Sequence, residues 1–216
     1  MTFPGWFRQR RKRGKPVISP VGLLAYYPLD ADASDAYGTF PGTPTSISFV
    51  PGKIRGAASF NGSSSRIAVP IQSAMTTNFS LAAWINFAAT GTLFLNGTQT
   101  NRSRFAILSD GRLRFTEDNI ADYTFTPVLA FNTWYHVAFV KNGNSGANLT
   151  LYVNGVAAGS VSVGTITTPS GTAYIGANNT TTFWSGLLDD ISLWSRVLTA
   201  DEIAKLASGT AGIATR

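Results

Sequence analysis

Carboxylates are the side chains here with the clearest catalytic chemistry, because two of them held about 5–5.5 Å apart can cleave a glycosidic bond with retention of configuration. The only glutamates are Glu117 and Glu202. Glu117 is followed directly by Asp118, and neighbours on a strand point to opposite faces of the sheet. No carboxylates on an expected strand have the i, i+2 or i, i+4 spacing that would put both groups on one face. We therefore expect no glycosidase activity and no enzyme.

Histidine and cysteine offer even less chemistry. The chain has one histidine, His136, and no cysteine, which excludes thiolate zinc sites, histidine clusters, thiol nucleophiles and disulfides. His136 shares a strand face with Trp134, Ala138 and Val140. That setting is typical of a core or sheet-edge histidine with one hydrogen bond.

Aspartates gather near both ends of the sequence, as Asp30, Asp32, Asp35, Asp189 and Asp190. The first of them begin an Asp-x-Asp-x-Ser run similar to the start of an EF-hand loop. That loop needs glycine at its sixth position and glutamate at its twelfth, where this chain has Asp35 and Pro41. An EF-hand is excluded, and the simplest alternative is that these carboxylates accept hydrogen bonds from turn backbone.

Aromatic rings beside polar loops are the side chains that could bind a glycan. Phe183 and Trp184 follow the polar run 178–182, and Tyr123 is a weaker candidate. We expect Phe183 to pack inward and Trp184 to be the more exposed of the two. The candidate ligand-binding residues are therefore Trp184 and Tyr123.

The elements that must position these residues are strands. From Leu23 onward, short apolar or alternating runs are separated by turn residues, which predicts an all-β protein with two packed antiparallel sheets, a sandwich or jelly roll. Asp110-Gly111 and Asn154-Gly155 each separate two such runs. Both dipeptides are typical of type I′ hairpin turns.

Two further local patterns are clear. Arg112 and Arg114 alternate with two apolar residues, which predicts a strand with one wet and one buried face. Thr199-Ala-Asp-Glu202 has the spacing of a capping box. It predicts a short C-terminal helix that ends near Gly209 and packs on the last strand.

The positive charge lies almost entirely at the N-terminus. The formal net charge is +6 and the isoelectric point about 9.8, yet residues 1–15 hold six cations and no acid: Arg8, Arg10, Arg11, Lys12, Arg13 and Lys15. The cations after residue 15 balance the 11 acidic residues of the chain. The sequence thus predicts a basic arm (1–20), a neutral domain (21–210) and a short tail (211–216).

The arm could play several roles. It could be a solvated tail, an anchor into a larger assembly, or a contact to nucleic acid or an anionic membrane. Phe3, Trp6 and Phe7 precede the charges and favour the anchor, because aromatic side chains supply buried contact area. We expect no cleavable signal peptide, since Pro16 and Pro20 interrupt the stretch after the charges. No apolar run approaches the roughly 18–20 residues of a membrane span.

Eight segments in order resemble the LamG-like jelly roll of the concanavalin A-like lectin/glucanase superfamily. They include Gly22-Leu-Leu-Ala-Tyr-Tyr-Pro-Leu-Asp30, Ala58-Ser-Phe-Asn-Gly-Ser63, Phe79-Ser-Leu-Ala-Ala-Trp-Ile85, Trp134-Tyr-His-Val-Ala-Phe-Val140, Leu151-Tyr-Val-Asn-Gly-Val156 and Phe183-Trp-Ser-Gly-Leu-Leu-Asp-Asp-Ile191. The resemblance implies ligand sites on a concave face or in rim loops. It also implies a structural calcium between the end of the first strand and the last strand, which Asp30 and Asp189 would bind.

Two functions remain open at this stage. The first is a non-enzymatic assembly protein, such as a phage virion decoration or tail-attached protein, fixed to other subunits by residues 1–20 and located on a particle surface. The alternative is a carbohydrate-binding, lectin-like module at an extracellular or cell surface, with or without a requirement for calcium. Nucleic acid would be bound only through the arm, because the rest of the chain is neutral.

Overall fold

Two antiparallel sheets face each other in the computed structural model, which describes residues 17–71, 75–98, 102–146, 148–166, 169–210 and 212–213. With strands numbered in chain order, the seven-stranded sheet contains β3 (Thr43–Thr45), β6 (Arg66–Val69), β8 (Gly91–Asn96), β9 (Ser103–Ile107), β10 (Arg112–Glu117), β11 (Ala121–Val128) and β15 (Ala173–Ile175). The eight-stranded sheet contains β2 (Leu23–Tyr27), β4 (Ser48–Ile54), β5 (Gly56–Asn61), β7 (Asn78–Phe87), β12 (Tyr135–Asn142), β13 (Leu149–Val153), β14 (Val156–Val161) and β16 (Ser185–Trp194). The predicted all-β sandwich is confirmed.

Strand order determines which side chains meet. Across the seven-stranded sheet the order is β11-β10-β9-β8-β15-β6-β3, and across the other sheet it is β14-β13-β12-β7-β16-β5-β4, with β2 also paired to β16. Neighbours such as β8 and β15 are far apart in sequence. Their register therefore depends on tertiary packing, not on a hairpin turn.

The core lies between the two sheets and follows the period-2 pattern of the strands. On β10, Leu113 and Phe115 are buried in this core, while Arg112 and Arg114 lie on the outer side. Phenylalanine rings from both sheets meet, as Phe105 and Phe139 do with ring centroids 4.7 Å apart. The wet and buried faces predicted for this strand are confirmed.

A second apolar cluster covers the outer side of the eight-stranded sheet. It joins Ala138 and Trp194 from the sheet to Ile203 of α1 (Ala200–Ala207). Thr199 caps this helix, and Glu202 completes the capping box predicted from the sequence. Because Arg196 also holds the Glu202 carboxylate at 2.7 Å, the helix is fixed against the strand that precedes it.

The two ends of the described chain pair with each other. β1 (Val17–Ile18) and β17 (Gly212–Ile213) form a parallel two-stranded sheet, and Ile18 packs into the second apolar cluster. The last residues of the predicted arm are therefore part of the folded body. The predicted anchor residues lie outside the described residues: Phe3, Trp6, Phe7, Arg8, Arg10, Arg11, Lys12, Arg13 and Lys15.

Among the residues that the structure describes, no helix has the length and apolar character needed to cross a membrane.

Candidate functional site

A row of outward-facing residues crosses the seven-stranded sheet. Cross-strand pairing places Tyr174 opposite both Ala68 and Leu95, and places Leu95 opposite Arg104. We call the complete set the outer row: Thr43, Ala68, Tyr174, Leu95, Arg104, Thr116 and Asp122. With neighbouring strands about 4.8 Å apart, the row is about 29 Å long. Its accessible members are Thr43, Ala68, Tyr174, Arg104 and Asp122, because Leu95 is 1% and Thr116 8% exposed.

An aromatic ring lies near one end of the outer row. The ring of Tyr174 has the guanidinium of Arg66 over it, 5.6 Å from the ring centroid. Arg66 Nη1 also donates a hydrogen bond to the Asn179 carbonyl oxygen at 3.1 Å. Both side chains are half-buried. The cation–π contact and the hydrogen bond together fix the orientation of this platform.

Arginines and an aspartate occupy the other end. Arg114, two residues before Thr116 on β10, pairs with Asp122 at 2.9 Å, and Thr116 Oγ1 donates a hydrogen bond to Asp122 Oδ1 at 2.6 Å. The guanidinium of Arg104 has no hydrogen-bond or ion-pair partner among the described residues, and its Nε is buried. Burial, and next the nearby positive charge of Arg114, lower the pKa of Arg104. The N–H groups of Arg104 are thus free to donate hydrogen bonds to a ligand.

A cavity of about 350 Å³ opens beside the aromatic end of the row. Its lining residues are Pro41, Thr43, Ala68, Val69, Pro70 and Thr172. Ala68 and Tyr174 are cross-strand partners, so the cavity and the aromatic platform are adjacent. A volume of this size, next to a few convergent polar groups, is typical of small-ligand sites.

Sequence patterns do not reveal this site. They place Arg114 on a wet strand face and give no functional signal for Arg66, Arg104 or Tyr174. The available signal was arginine alternating with apolar residues, as in Arg104-Phe-Ala and Arg112-Leu-Arg. That pattern gives the face of a strand, but it does not show that three separated strands present one surface.

The exposure predicted for Trp184 as a glycan contact is wrong. Trp184 is 0% exposed, while Phe183 is the half-exposed member of the pair. The polar turn closes at Asn178 and Thr181, which exchange backbone hydrogen bonds, and the Trp184 amide then donates to the Gly176 carbonyl. Because the chain has already rejoined the sheet at this residue, its side chain points into the core.

Tyr123 lies apart from the outer row. Its ring stacks on Phe115, with centroids 6.0 Å apart, and packs against the core cluster. The structure does not bring Tyr123 and Trp184 together at a surface.

Three carboxylates lie near one another at the eight-stranded sheet. Asp189 is 0% exposed; its Oδ2 accepts a hydrogen bond from the Ile54 amide at 2.8 Å, and its Oδ1 has no partner among the described residues. Burial is the main cause that raises the pKa of Asp189 to about 7, and Asp190 and Asp30 add to it. Burial likewise raises the pKa of Asp190 to about 6, against a hydrogen bond from Tyr26.

These carboxylates do not fit a calcium ion as they lie. Asp30 accepts a hydrogen bond from the Gly56 amide at 3.0 Å and pairs with Arg55 at 3.1 Å, so N–H donors occupy both of its oxygens. Within the described ranges, no group of three or more His, Cys, Asp or Glu side chains could hold a metal ion. Calcium favours six to eight oxygen ligands. The calcium predicted at Asp30 and Asp189 is therefore not supported by the donor set.

We expect calcium to leave the stability of the protein unchanged. Since a ligand that binds only the folded state raises the melting temperature, millimolar Ca²⁺ and EDTA should give melting temperatures within about 1 °C of each other. Differential scanning calorimetry measures this directly. If calcium raised the melting temperature of the wild type but not that of Asp189→Asn, the result would show instead that Asp189 binds the ion.

The remaining carboxylate and histidine candidates are structural. Asp35 accepts four backbone hydrogen bonds, among them those from the Tyr26 and Phe40 amides, as the turn alternative predicted. His136 is 2% exposed and meets Trp84 edge-on at 5.4 Å. Burial lowers the pKa of His136 to about 4. The predicted burial of His136 is confirmed, but its predicted hydrogen bond is not seen: the buried Nδ1 has no partner among the described residues.

Comparison with known proteins agrees with this architecture. A family model described as the concanavalin A-like lectin/glucanases superfamily matches residues 61–204, and the chain belongs to this family. Comparison with curated proteins finds no match.

Among solved structures, domain 4 of AbnA is similar over most of both chains. This domain of an extracellular arabinanase of glycoside hydrolase family 43 from Geobacillus stearothermophilus was solved in complex with arabinotriose. The identity is 25% and the TM-score 0.69, over 86% of this chain and 98% of that chain.

Two more distant structures share the fold alone. The binding domain of Paraclostridial Mosquitocidal Protein 1 has 18% identity and a TM-score of 0.59, over 78% of this chain and 47% of that chain. A heptameric SAP-like pentraxin from Limulus polyphemus has 21% identity and a TM-score of 0.54, over 69% of this chain and 80% of that chain.

Proposed function

We propose that this protein is a non-catalytic carbohydrate-binding module that holds an oligosaccharide along the outer row of its seven-stranded sheet. The observation that carries the proposal is the aromatic platform of Tyr174, set between a cavity of about 350 Å³ and a group of arginines. The proposal corresponds to the second of the two functions predicted from the sequence.

The chemistry of the outer row suits a sugar. A pyranose or furanose ring presents C–H groups that pack on an aromatic face. The Arg66 guanidinium covers one face of the Tyr174 ring and fixes its orientation, so a sugar would pack on the edge or the other face. Sugar hydroxyls both donate and accept hydrogen bonds, so they can pair with the Arg104 donors and the Asp122 acceptors. Polar groups that converge beside an apolar platform give such a site its specificity.

The most similar domain described above supports the same class of ligand. Domain 4 of AbnA was solved with arabinotriose bound. Because the identity is 25%, the ligand of that domain suggests only a class of ligand for this chain. We therefore propose oligosaccharide binding and do not propose arabinan as the ligand.

We propose that the module has no catalytic role. Glu117 is buried on the core side of its strand, where burial raises its pKa and the charge of Lys141 opposes this rise. Asp118, which follows it, pairs with Arg102. The two carboxylates thus lie in different environments on opposite sides of the sheet, and they cannot act as an acid and nucleophile pair.

Binding along the outer row predicts that Tyr174→Ala weakens affinity about tenfold or more, because alanine removes the aromatic contact area. Isothermal titration calorimetry with a panel of neutral oligosaccharides, arabinotriose included, measures the affinity in buffer with and without EDTA. Tyr152→Ala is the matched control, since it removes a half-buried tyrosine from the other sheet.

The outcome is decisive in both directions. Loss of binding in Tyr174→Ala with retention in Tyr152→Ala supports the proposal. Unchanged affinity in Tyr174→Ala, or no binding of any sugar in the panel to the wild type, contradicts it.

The assembly function stays a prediction. The relatives described above lend no support to a phage virion context, and the location on a particle surface is untested. One feature favours display of the sugar site: β1 packs against the outer side of the eight-stranded sheet, away from the outer row. An anchor formed by residues 1–16 would leave that row free.

A further inference from the structure

The two outer surfaces of the sandwich differ in charge. On the seven-stranded sheet, the charged side chains of the outward-facing strand positions are Arg66, Arg104, Arg112, Arg114 and Asp122. The opposite sheet has charges of both signs: Lys53 lies over Trp84 and Arg196 over Trp194, while Asp30 pairs with Arg55 and Asp189 is buried. The outward strand positions of the seven-stranded sheet thus present more cations than carboxylates.

Most of these cations already have partners. Arg112 pairs with Asp110 at 2.7 Å, and Arg114 pairs with Asp122 at 2.9 Å. Arg102, in the loop before β9, pairs with Asp118.

Arg104 is different. Among the described residues its guanidinium has no hydrogen bond or ion pair, although the charges of Asp118 and Asp122 act on it at longer range. Its buried Nε has no acceptor, and neither has Arg114 Nε, but Arg114 is ion-paired and Arg104 is not. A half-buried guanidinium without hydrogen bonds is unfavourable, since desolvation of a charged group is compensated only by pairing. The like charge of Arg114 adds to this cost. The native protein thus maintains an unpaired cation in the middle of its proposed binding row.

We propose that the oligosaccharide bound by the outer row carries a carboxylate, as a uronic acid does, and that Arg104, assisted by Arg114, binds this group. The inference rests on the proposed function and adds the class of sugar. A guanidinium and a carboxylate form two parallel hydrogen bonds, which would satisfy donors that the protein leaves free. Tyr174 lies two strands away from Arg104, so one saccharide chain can contact both.

Phosphate-rich nucleic acid fits this face less well. Duplex binding depends on neutralising several phosphates, whereas Asp118 and Asp122 lie on the same face and pair with Arg102 and Arg114. A ligand with isolated carboxylates suits one unpaired arginine better than a continuous chain of phosphates does.

The test compares trigalacturonate with its neutral methyl ester, which keeps the sugar shape but lacks the charge. We expect the wild type to bind the acid about tenfold or more tightly than the ester at neutral pH, since a hydrogen-bonded charge pair is stronger than a neutral one. Arg104→Gln should abolish this preference, because it lowers affinity for the acid to about the level of the ester; affinity for the ester should fall much less, since the ester loses only neutral hydrogen bonds to this side chain. Arg112→Gln is the control, because its guanidinium pairs with Asp110.

A second variant guards against loss of folding. Arg104→Lys keeps the charge but cannot form the bidentate pair, so it should retain only part of the preference at a melting temperature close to that of the wild type. If Arg104→Gln unfolds, Arg104→Lys decides the question: an unchanged preference overturns the assignment.

The remaining outcomes separate the two proposals. Equal binding of acid and ester overturns the carboxylate inference alone, and so does a tighter, Arg104-dependent interaction with a DNA duplex. No binding of trigalacturonate, of its ester or of any neutral sugar overturns the proposed function and this inference with it.

Discussion

Trp184→Ala should lower the free energy of unfolding by about 3–5 kcal/mol, the usual loss when a large buried aromatic residue is truncated. Trp184 is fully buried, and its ring meets Phe87 edge-on with centroids 6.3 Å apart. A Cβ atom at Gly91 would lie 2.8 Å from Trp184 Cα, so the neighbouring backbone is packed tightly around this side chain. Typical domains are stable by only 5–15 kcal/mol, and the variant should approach the limit of folding.

Two controls separate stability from binding in this case. Phe183→Ala changes the half-exposed neighbour, and we expect it to lower the free energy of unfolding by about 1 kcal/mol. Trp184→Phe keeps most of the buried area and removes an indole N–H that has no acceptor among the described residues, so its loss should be smaller than that of alanine.

Urea unfolding followed by far-UV circular dichroism measures all three variants. If Trp184→Ala retained wild-type stability but lost sugar binding, the burial argument would fail and the original prediction of a ligand contact would be restored.

Local patterns predicted the strands and the helix well. A buried strand face imposes an apolar residue at every second position, which is why Leu113 and Phe115 identified β10. Thr199 and Glu202 form a capping box from residues only three apart. Such features depend on neighbours in sequence, so the sequence alone contains them.

Turn type was only half predictable. Asn154 and Gly155 both have positive φ angles, as a type I′ turn requires. At the other hairpin only Gly111 has a positive φ angle and Asp110 does not, so that turn is not type I′. The hairpin itself is present, because the flanking apolar pattern fixes it.

The candidate site could not be predicted, because it depends on pairings between distant segments. Tyr174 and Arg104 are separated by 70 positions in the printed sequence, and they share a row only because β8 lies between β15 and β9. The register of such strands follows from packing of the whole sandwich.

Orientation at a strand end is another non-local property. The direction of Trp184 depends on where the turn after Asn178 rejoins the sheet. The polar loop before Trp184 favoured exposure of its side chain. The hydrogen bond from the Trp184 amide to the Gly176 carbonyl instead fixes the backbone so that the side chain is buried.

Charge is also distributed in a way that composition conceals. The balance of acids and bases outside the arm suggested a neutral domain, yet arginines gather on the outer side of the seven-stranded sheet and Asp189 is buried in the other sheet. In each case the protein keeps a charged or titratable group without a full set of partners. On the seven-stranded sheet we attribute this to a ligand, and on the eight-stranded sheet it makes stability depend on pH.

Asp189→Asn should stabilise the protein at pH 8 and change little near pH 4. The pKa of Asp189 is raised from 3.8 to about 7 in the folded state, so the folded protein binds this proton more tightly than the unfolded chain does. The resulting stabilisation is complete below pH 4 and is lost as the pH rises through 7. Asparagine keeps the acceptor for the Ile54 amide but cannot ionise.

The expected gain at pH 8 is about 2–3 kcal/mol. A displacement from 3.8 to about 7 corresponds to roughly 4 kcal/mol, and relaxation around a buried charge reduces this value. Urea unfolding at several pH values gives the difference between variant and wild type. His136, whose pKa burial lowers to about 4, affects both proteins equally and cancels.

Glu202→Gln provides a control of opposite sign. The hydrogen bonds from Arg196 are the first cause that lowers the pKa of Glu202 to about 2, so this carboxylate stabilises the fold above pH 4.5, and the contribution disappears as the pH falls towards 2. Glu202→Gln should therefore destabilise the protein at pH 8, where Asp189→Asn stabilises it. Were Asp189→Asn to destabilise the protein at pH 8, the ionised carboxylate would have a favourable partner, and a bound cation at Asp189 would again be the better interpretation.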